Sequence, residues 1–430
     1  MLIDWIEKCK FEIPAKPSKQ PRLFPPFPGF GSNHSFHSTL TWSSREFKVV
    51  TIPDDAKNGS FNDIVSNVST LYVKEIESLI ENSKVDVVLC APPMEHLKLV
   101  LRATGDEVEN ASLPTADDEQ PPEKRWHDFH DQLKARSLHL RVPLQYILPA
   151  TYDESKIAAQ KRFKNRDQQD EATRAWNLFT AIYYKAGGLP WRMTRSDADV
   201  RSCYLGISFF QTLDKERLYA SSAQVFNELG EGVIVRGGLA VKDKDDRTIH
   251  LDEEGAYDLI QLALEAFKNE HGHFPARVVI HKSSDYSEEE HRGITRFLKE
   301  KEITHFDLLY LSESFVRLFR TETYPPLRGT LWQLDDKQSV LYTKGSVPFY
   351  ETYPAIYPPR SLYIDTTYAQ RSIRDLAREC LALTKMNWNN TRFDGQLPIT
   401  LRAARQVGTI LKYLETEDTS KVSQSYRFYM

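Results

Sequence analysis

The stretch Tyr183-Tyr-Lys-Ala-Gly-Gly-Leu-Pro-Trp191, followed at Cys203 by Cys-Tyr-Leu-Gly-Ile-Ser-Phe-Phe210, divides the sequence into two patterns. The run Cys203–Thr212 is mostly apolar, which is typical of a buried β-strand. A new alternation of apolar strands and amphipathic helices begins near residue 200 and continues towards the C-terminus. We therefore expect a change of domain close to this stretch.

On the N-terminal side, the pattern predicts strand, helix and strand. The spacing of apolar residues predicts a helix over 62–83. Val85–Ala91 reads as a buried parallel strand that ends at a Pro-Pro pair. A second helix is predicted over Trp126–Leu138 and a second strand over Val142–Leu148. Residues 40–190 are thus predicted to be an α/β domain of the doubly wound type.

On the C-terminal side, further strands and helices follow in close succession. Strands are predicted at Cys203–Thr212, Gly232–Val241, Arg277–His281, Asp307–Leu311 and Ser339–Thr343. Helices are predicted at Ala256–His271, Tyr286–Glu302, Ile373–Leu383 and Ile399–Leu414, and residues 345–361 are predicted to be an ordered loop crossing a surface. This alternation also favours an α/β fold.

Two other stretches interrupt these patterns. Residues 14–31 contain six prolines, so we expect an extended arm or connector and not a packed element. Residues 105–124 contain seven acids and a Pro-Pro pair, which predicts a polar insertion or surface loop.

Length and composition predict a globular protein of two or three domains. The chain has 430 residues, 40% of them hydrophobic and 27% charged, and domains average about 150 residues. No apolar run approaches the ~20 residues of a membrane helix, and the first residues, with an early acid and no long apolar run, are not expected to be a signal peptide. Four cysteines lie far apart without a CxxC pair. We expect a cytoplasmic protein without a membrane partner.

The usual motifs of nucleotide-binding and hydrolytic enzymes do not occur. The motifs GxGxxG, GxxxxGK[ST] and GxSxG do not occur, and no cluster of Cys or His completes a four-ligand metal set beside the histidine pairs 127/130 and 271/273. A net charge of −4 also speaks against a nucleic-acid binder. However, residues 156–192 contain eight basic and three acidic side chains, and such a local patch attracts phosphates within about 8–10 Å.

Four polar residues of the first pattern form a candidate anion site. His130 and Lys134 lie four residues apart, on one face of the predicted helix. Gln145 follows in the next strand, and Lys185 lies in the stretch quoted first. A terminal phosphate is bound by cations, an amide and a polar ring, because each supplies donors to its oxygens. By spacing alone, a solvated helix face is the favoured explanation of these residues.

Several segments together resemble the MID and PIWI domains of Argonaute proteins. They are YYKAGGLPW, CYLGISFF and HLRVPLQYIL, and further on GVIVRGG, RVVIHKSSDYSEEE, YTKGSVPFYETYPAIYPPRSLYI and LTKMNWNNTRFDGQLPITLRAARQVGTIL. They occur in the family's order, from about residue 85 to the C-terminus. The resemblance implies a Rossmann-like MID domain followed by an RNase H-like PIWI domain. It divides the chain into a proline-rich arm (1–40), MID (41–195) and PIWI (196–430), without the N-terminal and PAZ domains of long Argonautes.

The resemblance also implies a binding site for the 5′-phosphate of a guide strand. The positions that match the family's pocket are His130, Lys134, Gln145 and Lys185. In prokaryotic members, Mg²⁺ and the terminal carboxylate often join the phosphate, so the carboxylate of Met430 becomes a candidate metal ligand. The Lys185 match depends on its Lys-Ala-Gly-Gly context, because the insertion before it departs from compact versions of the pocket.

In active members of the family, four residues, mostly acids, hold two metal ions in the PIWI domain. The positions that match are Ser208, Ser283 in the Lys-Ser-Ser run and Arg405. Serine is a poor ligand and arginine is none, so the resemblance implies a domain that binds nucleic acid without cutting it. The alternative is an active endonuclease that uses displaced carboxylates such as Asp285, Asp307 and Asp365.

Other basic and amide residues are expected to contact the backbones of guide and target. They are Arg192, Lys385, Asn387, Asn390, Arg402 and Arg405. Specificity is expected to come from base pairing, while the protein contacts the backbone.

The resemblance therefore implies a short prokaryotic Argonaute that binds a guide RNA and a single-stranded DNA target. Such proteins form a heterodimer with an APAZ-containing effector, whose TIR, Sir2 or nuclease domain supplies the chemistry in defence against plasmids and phages. Activation can involve higher oligomers. The arm and residues 32–60 are the expected docking surface. The second alternative is a structural subunit whose nucleic-acid pocket is vestigial.

Overall fold

The computed structural model divides the chain into two compact units. One comprises Met1–Gly188 and Thr416–Ser423, and the other comprises Leu189–Glu415 and Gln424–Met430. The structure describes residues 1–101, 127–161, 168–193, 202–225, 232–242, 248–319, 325–350, 353, 358–391, 395–414 and 422–430. The predicted insertion at 105–124 lies outside these residues. The sequence predicts a domain boundary after residue 195, and the chain passes between the units after Gly188.

The first unit contains two short parallel strands and seven α-helices among its described residues. The strands are β1 (Val88–Cys90) and β2 (Leu144–Tyr146), which pair with Val88 opposite Leu144. The helices are α1 (Leu2–Lys8), α2 (Phe61–Asn82), α3 (Met94–Val100), α4 (Phe129–Ser137), α5 (Pro149–Tyr152), α6 (Ile157–Lys161) and α7 (Glu171–Lys185). The predicted strand–helix–strand order is confirmed.

Helix α2 shows how the sequence specifies an element of this unit. Ser60 and Asp63 form a capping box at its start, where the Ser60 N–H donates to the Asp63 carboxylate over 2.9 Å. Val65, Val68 and Tyr72 lie on its buried face and join a core with α4. The prediction of a helix over 62–83 is confirmed to within one residue at each end.

The expectation that the proline-rich arm is unpacked is wrong. Ile13, Phe27, Phe30 and Phe36 are buried in a core with α7. The ring of Phe27 stacks on Phe179 at 5.5 Å between centroids. The prolines remove backbone donors, but the aromatic side chains between them bury enough apolar surface to order the arm.

The second unit is built on an eight-stranded mixed sheet. Its strands are β3 (Ser202–Gln211), β4 (Leu218–Val225), β5 (Gly232–Leu239), β8 (Arg277–Lys282), β9 (His305–Ser314), β10 (Leu331–Gln333), β11 (Gln338–Leu341) and β12 (Ser361–Ala369). They lie in the order β10-β11-β12-β9-β8-β3-β4-β5, and β6 (Val241–Lys242) pairs with β7 (Ile249–His250) outside it. β3, β8 and β9 are parallel to one another, and the other neighbours are antiparallel.

Four α-helices complete the second unit as described. They are α8 (Glu253–His271), α9 (Glu288–Glu300), α10 (Ile373–Leu383) and α11 (Ile399–Leu411). Helices α8 and α9 form a core with β3 and β8, whose six residues are all buried. Helix α11 approaches β3 so closely that a Cβ on Gly206 would lie 2.2 Å from the Thr400 carbonyl oxygen. A glycine is therefore required at this crossing.

The predicted helices and strands of this unit are confirmed, with shifted ends, but the longer strands β4 and β12 and the short strands β6, β7 and β10 were not predicted as separate strands. β4 was missed because its sequence, Leu-Tyr-Ala-Ser-Ser-Ala-Gln-Val, lacks a simple apolar pattern. The strand is held by backbone pairing with β3 on one side and β5 on the other, which the sequence pattern does not reveal. β12 begins directly after Pro358, Pro359 and Arg360, where the prolines suggested a loop. Among the helices of the described residues, none combines the length and apolarity needed to cross a lipid bilayer.

Candidate anion-binding site

Three elements of the first unit carry the four residues of the candidate anion site. His130 and Lys134 lie on α4, Gln145 lies on β2, and Lys185 is the last residue of α7. Asp128 caps α4 by accepting a hydrogen bond from the Asp131 N–H. The pairing of β2 with β1 and the packing of α7 bring residues 40 positions apart into contact.

Lys185 and Gln145 are joined directly by a hydrogen bond. The Lys185 ammonium donates to Gln145 Oε1 over 2.7 Å and to the Leu144 carbonyl oxygen over 2.9 Å. Gln145 Nε2 donates to the Tyr146 carbonyl oxygen over 3.0 Å. Lys185 is only 2% exposed, and both acceptors of its amino group are neutral oxygens.

Burial disfavours the charged form of both lysines of the site. Lys134 is also 2% exposed, and burial lowers its pKa to about 8. Burial and, second, the charge of Lys134 hold the pKa of Lys185 well below its ordinary value. An anion bound between them would favour the protonated form of both lysines, because opposite charges nearby stabilise an ammonium.

His130 lies beside this pair as a neutral ring. Its Nδ1 is 2.9 Å from Asp131 Oδ1, and its ring contacts Tyr146 at 5.3 Å between centroids. Removal from water, followed by the charge of Lys134, lowers the pKa of His130, while Asp131 opposes this shift. A neutral imidazole can still donate one N–H and present its face to a base.

Asp128, His130 and Asp131 form a possible cation site next to the lysines. One ligand atom of each lies within 4.8 Å of the others. Carboxylate oxygens and an imidazole nitrogen are suitable ligands for a divalent cation. Met430, whose terminal carboxylate was the expected metal ligand, is a buried residue of the second unit. Its role in the phosphate site stays a prediction.

The three positions that match the family's catalytic residues lie on a strand, directly after a strand and on a helix of the second unit. Ser208 is a buried residue of β3, Ser283 follows β8, and Arg405 is exposed on α11. The Ser283 N–H donates to the Ile207 carbonyl oxygen over 3.1 Å, which places Ser283 next to Ser208 in the sheet. These side chains supply no carboxylate to the end of the strands.

The displaced carboxylates of the alternative have separate surroundings. Asp307 is buried, pairs with Arg277 over 2.6 Å and accepts backbone N–H bonds from Gln370 and Arg371. Asp365 accepts from the Thr367 N–H over 2.8 Å, and exposed Asp285 accepts from its neighbour Tyr286. Among the described residues, the one group of three or more possible ligands within 4.8 Å is that of Asp128, His130 and Asp131.

Most of the residues expected to contact guide and target lie on one connected part of the second unit. The Trp191 indole N–H donates to the Lys385 carbonyl oxygen over 2.9 Å, and the Trp388 indole donates to the Trp191 carbonyl oxygen over 3.0 Å. Arg192 and Lys385 are exposed beside these bonds. This reciprocal pair was not found from the sequence, because each tryptophan is local to its own segment.

The remaining expected contacts are less accessible. Arg402 Nη2 donates to the Met386 carbonyl oxygen over 2.9 Å, and burial lowers its pKa. The side chain of Asn387 is bonded to that of Asn390, whereas Arg405 is exposed. Part of the basic patch at 156–192, including residues 162–167, lies outside the described residues.

The fold is similar to that of Argonaute and Piwi proteins. No protein-family model and no curated protein matches the chain. The structure of Clostridium butyricum Argonaute bound to a guide DNA (5′ deoxycytidine) and a 19-mer target DNA matches with a TM-score of 0.58 and 17% identity. That match covers 80% of this chain and 40% of the other. Drosophila Piwi matches with a TM-score of 0.55 and 14% identity over 84% of this chain and 44% of its own.

The chain thus spans less than half the length of either neighbour. These structures show an Argonaute-like α/β fold. The predicted fold class, a Rossmann-like MID domain followed by an RNase H-like PIWI domain, is confirmed at this level.

Proposed function

We propose that the protein recognises nucleic acid through a guide strand, whose 5′-phosphate is bound by His130, Lys134, Gln145 and Lys185. The observation that carries this proposal is the pair of buried lysines, with the pKa of Lys134 lowered to about 8 and that of Lys185 also lowered. Burial disfavours the ammonium form of both lysines, and an anion bound beside them would favour it. A terminal phosphate does so, because it carries close to two negative charges at neutral pH.

The proposed guide is RNA and the proposed target is complementary single-stranded DNA. The Argonaute neighbour bound to guide and target DNA supports nucleic-acid partners in general. Base pairing would select the target, and exposed cations such as Arg192, Lys385 and Arg405 would hold the backbones. Mg²⁺ is the proposed companion of the phosphate, and Asp128, His130 and Asp131 are the residues of this chain that fit it.

Binding of matched strands with and without a 5′-phosphate tests the pocket. We expect the wild-type protein to prefer a 5′-phosphorylated RNA over its 5′-hydroxyl counterpart by at least about tenfold, since a charge-assisted hydrogen bond contributes roughly 1.5–3 kcal/mol. The variant Lys134→Ala/Lys185→Ala should lose this preference. Lys74→Ala/Lys98→Ala, which removes two exposed lysines of the same unit, should keep it.

The alternative of a vestigial pocket makes a different prediction. Under that alternative, the wild-type protein would not distinguish 5′-phosphorylated from 5′-hydroxyl RNA. The Lys134→Ala/Lys185→Ala variant would then bind each RNA as the wild type does. A second readout is the RNA that copurifies with the protein. Short 5′-phosphorylated RNA should be present in the wild type and lost in the variant.

We further propose that the PIWI domain binds its target without cutting it. Ser208, Ser283 and Arg405 cannot neutralise two divalent cations, because they provide no carboxylate. The guided protein should leave a labelled complementary DNA intact with Mg²⁺ or Mn²⁺. Specific cleavage in the middle of the duplex, lost on replacement of Asp285, Asp307 or Asp365, would establish the endonuclease alternative.

The chemistry would then come from a partner protein. We propose an APAZ-containing effector with a TIR, Sir2 or nuclease domain, bound as a heterodimer and activated when the target pairs with the guide. Coexpression with the product of the neighbouring reading frame tests this. The two proteins should copurify, and effector activity should require both guide and target, with higher oligomers measurable by light scattering after activation.

A further inference from the structure

One face of the large sheet is only partly covered by the helices that the structure describes. Helices α8 and α9 form a core with this face of β3 and β8, to which Val278 and Ile280 belong. On the same face, Lys282 of β8 is paired with Tyr310 of β9, and Tyr310 is paired with Asp365 of β12, because paired residues lie on one side of a sheet. Lys282 is buried, whereas Tyr310 and Asp365 are half-buried. The cover of the helices therefore ends between β8 and β12.

Two features border this open face and give it the shape of a trough. At one end, the chain crosses the sheet after β9, where the Tyr342 and Ser361 hydroxyls both donate to the Val316 carbonyl oxygen over 3.1 Å. At the other end, the start of α9 adjoins β12, because the ring of His291 stacks on Tyr368 at 4.2 Å between centroids. The floor of the trough consists of Tyr310, Ser312, Trp332, Gln338, Tyr363 and Asp365.

The floor of the trough carries accessible aromatic side chains. Trp332 lies on β10, the edge strand of the sheet, and is 45% exposed. The rings of Tyr310 and Tyr363 meet edge to face at 5.9 Å between centroids, and both are half-buried. Tryptophan and tyrosine contribute most strongly to protein–protein interfaces, because each buries a large apolar surface and keeps a polar group.

Three carboxylates belong to the trough and its border. Asp365 accepts a hydrogen bond from the Tyr363 hydroxyl over 3.3 Å, and Glu288 accepts one from the Tyr368 hydroxyl over 3.0 Å. Asp285 is exposed just before α9. Within the part of the chain that the structure describes, none of the three carboxylates forms an ion pair with a lysine, arginine or histidine. Their negative charges are therefore available to a ligand.

The same carboxylates act on the tyrosines of the trough. Removal from water, followed by the charges of Asp365 and Asp285, raises the pKa of Tyr363 to about 12. The pKa of Tyr368 is also raised, by removal from water and then by Glu288 and the same two carboxylates. A positive charge placed here would be stabilised both by the carboxylates and by the faces of the rings. A phosphate would be repelled.

We propose that the trough is the docking surface for a basic segment of a partner protein, which carries arginine or lysine next to apolar side chains. The cations pair with the three carboxylates and lie over the rings of Tyr310 and Tyr363, and the apolar side chains contact Trp332. This inference rests on the proposed function for the existence of a protein partner. It places the docking surface in the second unit and not on the N-terminal arm, whose aromatic side chains are buried in the first unit.

Charge variants of the trough test the inference in binding to the product of the neighbouring reading frame. We expect Asp285→Asn/Glu288→Gln to weaken this binding about tenfold, and Asp285→Lys/Glu288→Lys to weaken it about a hundredfold, because like charges across an interface repel. Both effects should become smaller as salt is added. Asp258→Lys/Glu216→Lys is the matched control, because it reverses two exposed acids on α8 and between β3 and β4, and it should bind as the wild type does.

A second variant tests the aromatic part of the trough. Trp332→Ala should weaken binding of the same partner at least about tenfold, as expected for a tryptophan at the centre of an interface. Leu262→Ala, at a side chain on α8 that is 50% exposed, should have no effect. All these variants should keep the preference for a 5′-phosphorylated RNA, because the proposed phosphate site lies in the first unit.

The outcomes separate this inference from the proposed function. A partner that binds the wild type, Asp285→Lys/Glu288→Lys and Trp332→Ala equally well would overturn the trough assignment alone. Weaker RNA binding by these variants, at an unchanged unfolding midpoint, would assign the face to nucleic acid and would also overturn it. Self-association of the wild type that Trp332→Ala abolishes would assign the face to a second copy of the chain. A wild type that does not bind the partner would overturn the heterodimer together with its docking surface, whereas the 5′-phosphate preference is measured separately.

Discussion

The ammonium of Lys185, at the end of helix α7, donates a 2.7 Å hydrogen bond to the side-chain oxygen of Gln145 on strand β2. The Lys185 side chain is almost fully buried, and this amide oxygen is one of its two neutral acceptors. A phosphate would provide a full negative charge in place of a dipole. Several properties of the site depend on this difference.

Replacing Gln145 with glutamate should separate stability from binding. The new carboxylate would form an ion pair with Lys185 and raise the free energy of unfolding of the empty protein by about 1–3 kcal/mol. It would also repel a phosphate, so the preference for a 5′-phosphorylated strand should disappear. Denaturant unfolding and strand binding measure the two effects, and Gln145→Leu is the comparison that lowers stability and adds no charge.

Phosphate affinity should fall as the pH rises from 7 to 9. Because the pKa of Lys134 is about 8, its ammonium is mostly protonated at pH 7 and mostly neutral at pH 9. Each binding event above pH 8 must then take up a proton, which costs up to about tenfold in affinity per pH unit. Binding titrations at constant ionic strength measure this, and Lys134→Met should have a flatter profile and weaker binding at pH 7.

The stability of the empty protein should change with pH in the opposite sense. A lysine whose pKa is lowered in the folded state binds fewer protons there than in the unfolded chain, between pH 8 and about 10.4. Stability therefore rises with pH in this window as far as Lys134 is concerned. Urea unfolding from pH 8 to 9.5 measures the free energy of unfolding of the wild type and of Lys134→Met. The value for the wild type minus the value for the variant should increase with pH. A constant difference contradicts the assignment.

The N-terminal arm should contribute strongly to the stability of the first unit. Phe27 is fully buried and contacts the rings of Phe179 and Trp176, so Phe27→Ala should cost about 3–5 kcal/mol. Phe11→Ala, at a side chain that is 72% exposed, should be nearly neutral. Thermal unfolding compares the two, and similar midpoints would show that the arm does not pack on α7 in solution.

The buried carboxylate of Asp307 should be structural and not catalytic. Its ion pair with Arg277 and two backbone N–H bonds are lost in Asp307→Ala, which should cost roughly 3–5 kcal/mol because a buried charge is left with fewer partners. Asp365→Ala, at a half-buried side chain without an ion pair in the described structure, should cost less. Equilibrium unfolding measures both variants.

Local sequence patterns predicted most elements but not the arm. The spacing of apolar residues located α2 and α8 because a helix buries one face at a period of 3.6 residues. The arm was misread because its proline content indicated an extended chain, and this says nothing about what the chain packs on. Phe27 and Phe30 become core residues only through contacts with α7, more than 140 residues later.

In the candidate anion site, too, the sequence indicated the residues but not their surroundings. Lys134 could be placed beside His130 from the helical repeat, and the resemblance to Argonautes matched Gln145 and Lys185 to the same pocket. The sequence did not indicate that both lysines are buried or that their pKa values are lowered. Those properties come from the protein that surrounds each ammonium, and no local pattern encodes them.

The sequence by itself determined the kinds and order of the elements, the residue types available at Ser208, Ser283 and Arg405, and the resemblance that named the fold. Only the tertiary structure decided that Lys185 bonds to Gln145, that the arm is core, and that Tyr310, Tyr363 and Asp365 lie on one face of the sheet. The physical reason is the sequence distance over which each property is determined. Helical and strand periods depend on residues that are neighbours in the chain, whereas the burial of a side chain and its pKa depend on residues that only folding brings together.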